Sequence, residues 1–157
     1  MNLNSLMRSA AVMLAVCCLG AALLLPWLAG RATAQNASDV FIVKSTSKDP
    51  DAVVSAIKSY SEQKKWQYLG DTKIKRGQIT LVKICIPEVA QALWPAGSQL
   101  SAMLPCGNIG VYKQGARTEV SVLHPRYMHV LYPNPATERA GAIAHPLLAA
   151  MLDAALD

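Results

Sequence analysis

Residues 66–85 read WQYLGDTKIKRGQITLVKIC, and this stretch decides the fold. Trp66 to Ile74 is rich in aromatic and β-branched residues and reads as a strand. Arg76-Gly77-Gln78 is a turn. Ile79 to Ile84 is a further strand, with Leu81 and Val82 apolar and Cys85 at its end. Two strands joined by so short a turn form a hairpin, and a hairpin makes the sheet antiparallel. The cations Lys73, Lys75 and Arg76 then read as a solvated hairpin tip rather than an anion site.

Upstream, Gln35 to Asp39 reads as a short lead and Val40 to Ser45 as a strand. Asp49-Pro50-Asp51 is a helix start, with Asp49 as cap, Pro50 in the first helical position and Asp51 in the first turn. Val53, Val54, Ile57 and Tyr60 recur at helical spacing, and Lys64-Lys65 suits the helix end. Downstream, Pro87-Glu88 opens a short helix through Val89, Leu93 and Trp94, which Pro95-Ala96-Gly97 ends. Ala102 to Tyr112 reads as a fourth strand interrupted by Pro105 and Gly107. Lys113-Gln114-Gly115 is a turn, Thr118 to Leu123 a fifth strand, and His124 to Met128 a loop. Pro135 to Leu156 is a long closing helix that Pro146 is expected to kink. The order is strand, helix, four strands with a short helix inserted, then a long helix. That order predicts an α+β fold with both main helices against an antiparallel sheet.

The N-terminus is of another kind. Arg8 precedes an uncharged run from Ser9 to Gly30, and Arg31 closes it. Ala32-Thr33-Ala34 then supplies the small-x-small pattern that signal peptidase reads. The expected division is a signal peptide over 1–34, cleaved between Ala34 and Gln35, and a single domain over 35–157. This places the protein in the periplasm or outside the cell. An N-terminal membrane anchor is the alternative, since the run is about 22 residues and about 20 span a bilayer. Gly20, Pro26 and Gly30 interrupt it, however, and no basic cluster follows. No contact with the membrane is expected unless the leader is retained. Without Arg8 and Arg31 the net charge falls from +5 to +3. So mild a charge argues against nucleic acid as a partner.

Lys83-Ile84-Cys85-Ile86-Pro87-Glu88, followed by Leu104-Pro105-Cys106-Gly107-Asn108-Ile109-Gly110-Val111-Tyr112, resembles the domain of unknown function 302 family of bacteria and archaea. The resemblance runs from about Val40 to Leu152. It implies a compact α+β domain related in topology to the TATA-binding-protein-like class, and a homodimer as a possible partnership. It brings no established activity. The family does not always carry both cysteines, which implies that the pair is dispensable for the fold itself.

Cys17 and Cys18 leave with the leader, so Cys85 and Cys106 remain as an even pair in an oxidising compartment. Cys85 precedes a helix start, where a thiol is acidified. Cys106 lies in a Pro-Cys-Gly corner. With Met103, His124 and Met128 these residues form a set of soft donors at strand ends. Three readings follow. One is a disulfide between Cys85 and Cys106, with Met103 and Met128 in the core. The second is a soft-metal site, copper above all, because thiolate, thioether and imidazole are its ligands. The third is a reactive thiol used in redox or sulfur chemistry. A haem axial-ligand role is a further option, although the CxxCH attachment motif is absent. There is no GxSxG, HExxH or P-loop. The sequence therefore favours a non-catalytic binding or redox accessory over an enzyme. His129 and His145 read as surface or core residues, and Trp94, Tyr112, Tyr127 and Tyr132 as core aromatics.

Overall fold

A computed structural model describes residues 40–103 and 108–157, apart from the side chains of Met103 and Asn108. The chain divides into two units, Met1–Gln35 and Asn36–Asp157. The described residues all belong to the second. The expected leader, its expected cleavage site at Ala34-Gln35, and Cys106 lie outside them.

Five strands form one sheet: β1 (Phe41–Thr46), β2 (Gln67–Ile74), β3 (Ile79–Cys85), β4 (Asn108–Gln114) and β5 (Arg117–Leu123). Their order is β1-β5-β4-β3-β2, and every pairing is antiparallel. The hairpin over Trp66 to Cys85 is present, with Lys75–Gly77 forming one turn of 3-10 helix at its tip. The register of β2 on β3 shifts between Tyr68 and Gly70. Gly70 has φ +107 there, a conformation that favours a residue without Cβ.

Helix α1 (Pro50–Gln63) starts as expected, with the Asp49 carboxylate accepting the Asp51 N–H at 3.0 Å. Its end is a Schellman motif. The Trp66 N–H donates to Ser61 O at 2.8 Å and the Lys65 N–H to Glu62 O at 3.1 Å. Trp66 meets Tyr60 edge-on at 5.5 Å across this turn. Lys65 takes the left-handed position, with φ +58.

Helices α2 (Pro87–Leu93), α3 (Tyr127–Leu131) and α4 (Pro135–Leu156) complete the described elements, with 3-10 segments over Trp94–Ala96 and Ser98–Met103. Helix α4 packs on α1, α2 and α3. Period-two alternation turns Val82, Ile84, Ile109, Val111, Val120 and Val122 to one face of the sheet, where all are buried. Val53 and Ile57 of α1 and Ala140, Ala144, Leu148 and Met151 of α4 close over them. The opposite face leaves Phe41, Val43 and Leu123 exposed. None of the described helices is long and apolar enough to cross a membrane.

Four expectations need correction. The fourth strand does not begin at Ala102: Ser98–Met103 is 3-10 helix and β4 starts at Asn108. Leu100, just before the expected start, is buried and packs this helical turn onto the core. Lys113 and Gln114 are not turn residues, because both pair with β5. The His124 to Met128 segment is not all loop, since Tyr127 starts α3, which caps one end of the core with Met128. Trp94 and Tyr132 are exposed at 46% and 38%, not core. Helix α4 continues past Pro146 to Leu156. Pro146 and Ala142 are both exposed, so the carbonyl deprived of its donor lies on the solvent side.

Candidate functional site

The structure gathers residues that the sequence left apart. A cleft of about 370 Å³ is lined by His124, Arg126, His129, Thr137, Glu138 and His145, with Val130, Gly141 and Ala142 between them. The chain has three histidines, and all of them line it.

Two elements and one turn build the cleft. Glu138, Gly141, Ala142 and His145 follow one stripe of α4 at helical spacing. His124 directly follows β5, and its N–H donates to Val40 O at 2.8 Å, which anchors the turn to the sheet edge. Gly141 lets the helix approach that turn: a Cβ there would meet Pro125 O at 3.1 Å. This close approach brings His124 onto His145. Their rings stack with centroids 4.8 Å apart and planes 21° from parallel.

A hydrogen bond assigns the His124 tautomer. The Arg126 N–H donates to His124 Nδ1 at 3.2 Å, so the His124 proton sits on Nε2. His124 is held below its ordinary imidazole value of 6.5, first by burial, then by His145 and then by the Arg126 charge. His129 is fixed at the other end, where α3 turns into α4. Its Nδ1 lies 3.2 Å from Asn134 O and 3.4 Å from Thr137 Oγ1. Thr137 donates its own hydroxyl proton to Asn134 O and Tyr132 O, so Oγ1 is an acceptor toward the ring. The Asn134 N–H donates to the same Nδ1 at 3.4 Å, so this nitrogen faces a donor and a carbonyl together. Asn134 also caps α4, its side chain accepting the Ala136 N–H at 2.8 Å.

At one end of the cleft the His124 Nε2–H and the Arg126 guanidinium are donors, with the His145 ring beside them. His129 and the Glu138 carboxylate also line it. Glu138 and His145 are seven residues apart on α4, roughly 10 Å at 1.5 Å per residue.

The residues singled out from sequence fare differently. Of the soft donors whose side chains are described, His124 alone lines the cleft. Met128 is buried in the core at 4% exposure. Cys85 is half-buried at the end of β3. Strands β3 and β5 are parallel with β4 between them, so Cys85 and His124 follow ends at the same sheet edge, two strand spacings or roughly 10 Å apart. Met103 closes a 3-10 segment, and Cys106 lies outside the described residues. Among the described residues, no group of three or more His, Cys, Asp or Glu is placed to hold a metal ion. His145 and His129 were missed because nothing local marks them. The one sequence signal was the Gly141–His145 spacing, a glycine one helical turn from a histidine.

The comparisons with known proteins concern the fold and family. No curated protein matches the chain. The crystal structure of an uncharacterized conserved DUF302 protein from Bacillus stearothermophilus is similar, with a TM-score of 0.66 and 16% sequence identity. The match covers 75% of this chain and 98% of that one, and it supports the five-stranded α+β architecture. Residues 41–157 match the domain of unknown function DUF302, and the chain belongs to that family.

Proposed function

We propose that this DUF302 domain is an exported, non-catalytic binding protein, and that the histidine cleft is its ligand seat. One observation carries the reading: every histidine of the chain lines a single cleft, and two of them stack. Packing alone gives no reason to hold two imidazoles beside an arginine in a place open to solvent. The Thr137 hydroxyl is engaged by Tyr132 O and Asn134 O, so it is not poised as a nucleophile. That favours binding over catalysis. The signal-like leader with Ala32-Thr33-Ala34 supports export.

Thermal shift of the protein and of a His124→Ala/His145→Ala variant, against a panel of amino acids, carboxylates, amines and divalent metals, tests the reading. At least one compound should raise the melting temperature of the parent and not of the variant. Equal shifts in both, or none in either, would refute it.

A second element of this reading is a Cys85–Cys106 disulfide, supported by the even pair of cysteines left in an oxidising compartment. Lys83 pairs with Asn108. Cys85 lies two residues after Lys83, and Cys106 two residues before Asn108. The two cysteines are therefore equally far in sequence from one antiparallel pair, a spacing that supports the bond. Intact mass of the exported protein, alkylated with and without reductant, tests this. The bonded form takes up label only after reduction, and labelling of both thiols without reductant rules it out.

A further inference from the structure

A second cleft, of about 730 Å³, lies where the tip of the β2–β3 hairpin meets the start of α1. It shares no lining residue with the histidine cleft. Lys73, Thr80 and Val111 stand side by side there on β2, β3 and β4. Thr80 is 4% exposed. Val82 and Ile84, the next residues of β3 on the same face, are apolar and fully buried, as a core position requires. Thr80 instead carries a hydroxyl, and among the described residues no hydrogen bond engages it. Its oxygen is not sealed away either, because it borders the cleft. A nearly buried hydroxyl without a protein partner pairs with whatever enters that space, water in the free protein and a ligand group in the bound one.

The charges around this hydroxyl are unequal. Lys73, Lys75 and Lys113 line the cleft with Asp49 and Asp51. Both acids are engaged: Asp51 meets Lys73 Nζ at 3.1 Å, and the Asp49 side chain accepts the Asp51 N–H at 3.0 Å. Lys75 and Lys113 are left to meet an anion, with the Gln78 and Gln114 amides beside them. Amides both donate and accept, which suits hydroxyl groups. The sequence alone reads the hairpin tip as solvated. Thr80 behind it, which no local pattern marks, is what argues for a site.

We propose that this cleft binds a small hydroxylated anion, a sugar acid or a sugar phosphate. Its charged group sits at Lys75 and Lys113, and Thr80 donates to one of its oxygens from the floor. The Thr80 hydroxyl is then kept for the ligand and not for the fold. No covalent step is involved, and the site stands or falls separately from the histidine cleft.

Calorimetric titration of the protein at pH 7 and low ionic strength with gluconate, glucose 6-phosphate and glucose tests this. At least one of the two anions should bind at least about tenfold more tightly than glucose, and which one does so separates carboxylate from phosphate. In Thr80→Val that anion should bind about tenfold more weakly, the worth of one hydrogen bond to a charged group. The unliganded variant should melt at the same temperature or higher, because valine keeps the shape and suits a strand. Lys113→Ala, at an exposed position, should weaken the anion with the melting temperature unchanged. Anion binding that Thr80→Val leaves untouched would mean that surface lysines alone hold it, and overturns the proposal. A lower melting temperature for unliganded Thr80→Val overturns it too, since the hydroxyl then serves the fold. Glucose binding as tightly as both anions, or no binding by any of these compounds, is equally fatal.

Discussion

The imidazoles of His124 and His145 lie face to face at 4.8 Å, one at the end of β5 and the other on the outer stripe of α4. Protonating both would set two like charges against each other beside Arg126. The stack therefore favours at least one neutral ring, and His124 is the one held down.

Removing the neighbour should release it. In His145→Ala the pKa of His124 rises toward 6.5, because the second-largest cause of its depression is gone while burial and Arg126 remain. Histidine resonances followed against pH measure this. An unchanged His124 pKa would show that the two rings do not interact.

The same depression has a sign for stability. Below pH 6.5 the unfolded chain takes up a proton that folded His124 declines. Stability contributed by neutral His124 is therefore complete above 6.5 and declines as the pH drops from there, until the folded-state His124 itself protonates. Urea unfolding at pH 7.5 and 5.0 should show a larger loss for the parent than for His124→Gln. An equal loss in the two would contradict the assignment.

Gly141→Ala reports on how the cleft is built. On an open helix this change stabilises by about 1 kcal/mol. Here the new methyl meets Pro125 O at 3.1 Å, and overpacking of this kind costs about 1–3 kcal/mol. A lower melting temperature is expected, together with a His124 pKa that moves back toward 6.5 as the stack opens. A stabilised variant with an unchanged His124 would mean that the turn yields without disturbing the site.

Lys65→Gly tests the Schellman end of α1, away from the cleft. Lys65 carries φ +58, where an L side chain is strained and glycine is not. The variant should be more stable by up to about 1 kcal/mol, read as a higher urea midpoint. A loss of stability would mean that the side chain of Lys65 makes a contact worth more than the strain.

The elements built from local signals were legible in the sequence. Asp49-Pro50 and Asn134-Pro135 announce α1 and α4, because a cap followed by proline is a local device. The Trp66 to Cys85 hairpin follows from β-branched runs around a glycine turn. The stretch from Ser98 to Met103 was not legible, since its helical turn is decided by burial of Leu100 rather than by propensity. The cleft was less legible still. His124, His129 and His145 belong to three separate segments, and only the packing of α4 on the Pro125 turn joins them. The soft-donor set was read from proximity in sequence, and the core position of Met128 shows how little that spacing says about facing.

The most direct test of the cleft uses protein labelled with ¹⁵N at histidine alone, because the chain has three such residues and all line the proposed seat. Titration with a compound that stabilises the parent in the thermal-shift panel should move the imidazole signals of His124, His129 and His145 together, with one common affinity. Signals that stay in place, or that move with unrelated affinities, would contradict the assignment of the cleft as the place where this protein holds that ligand.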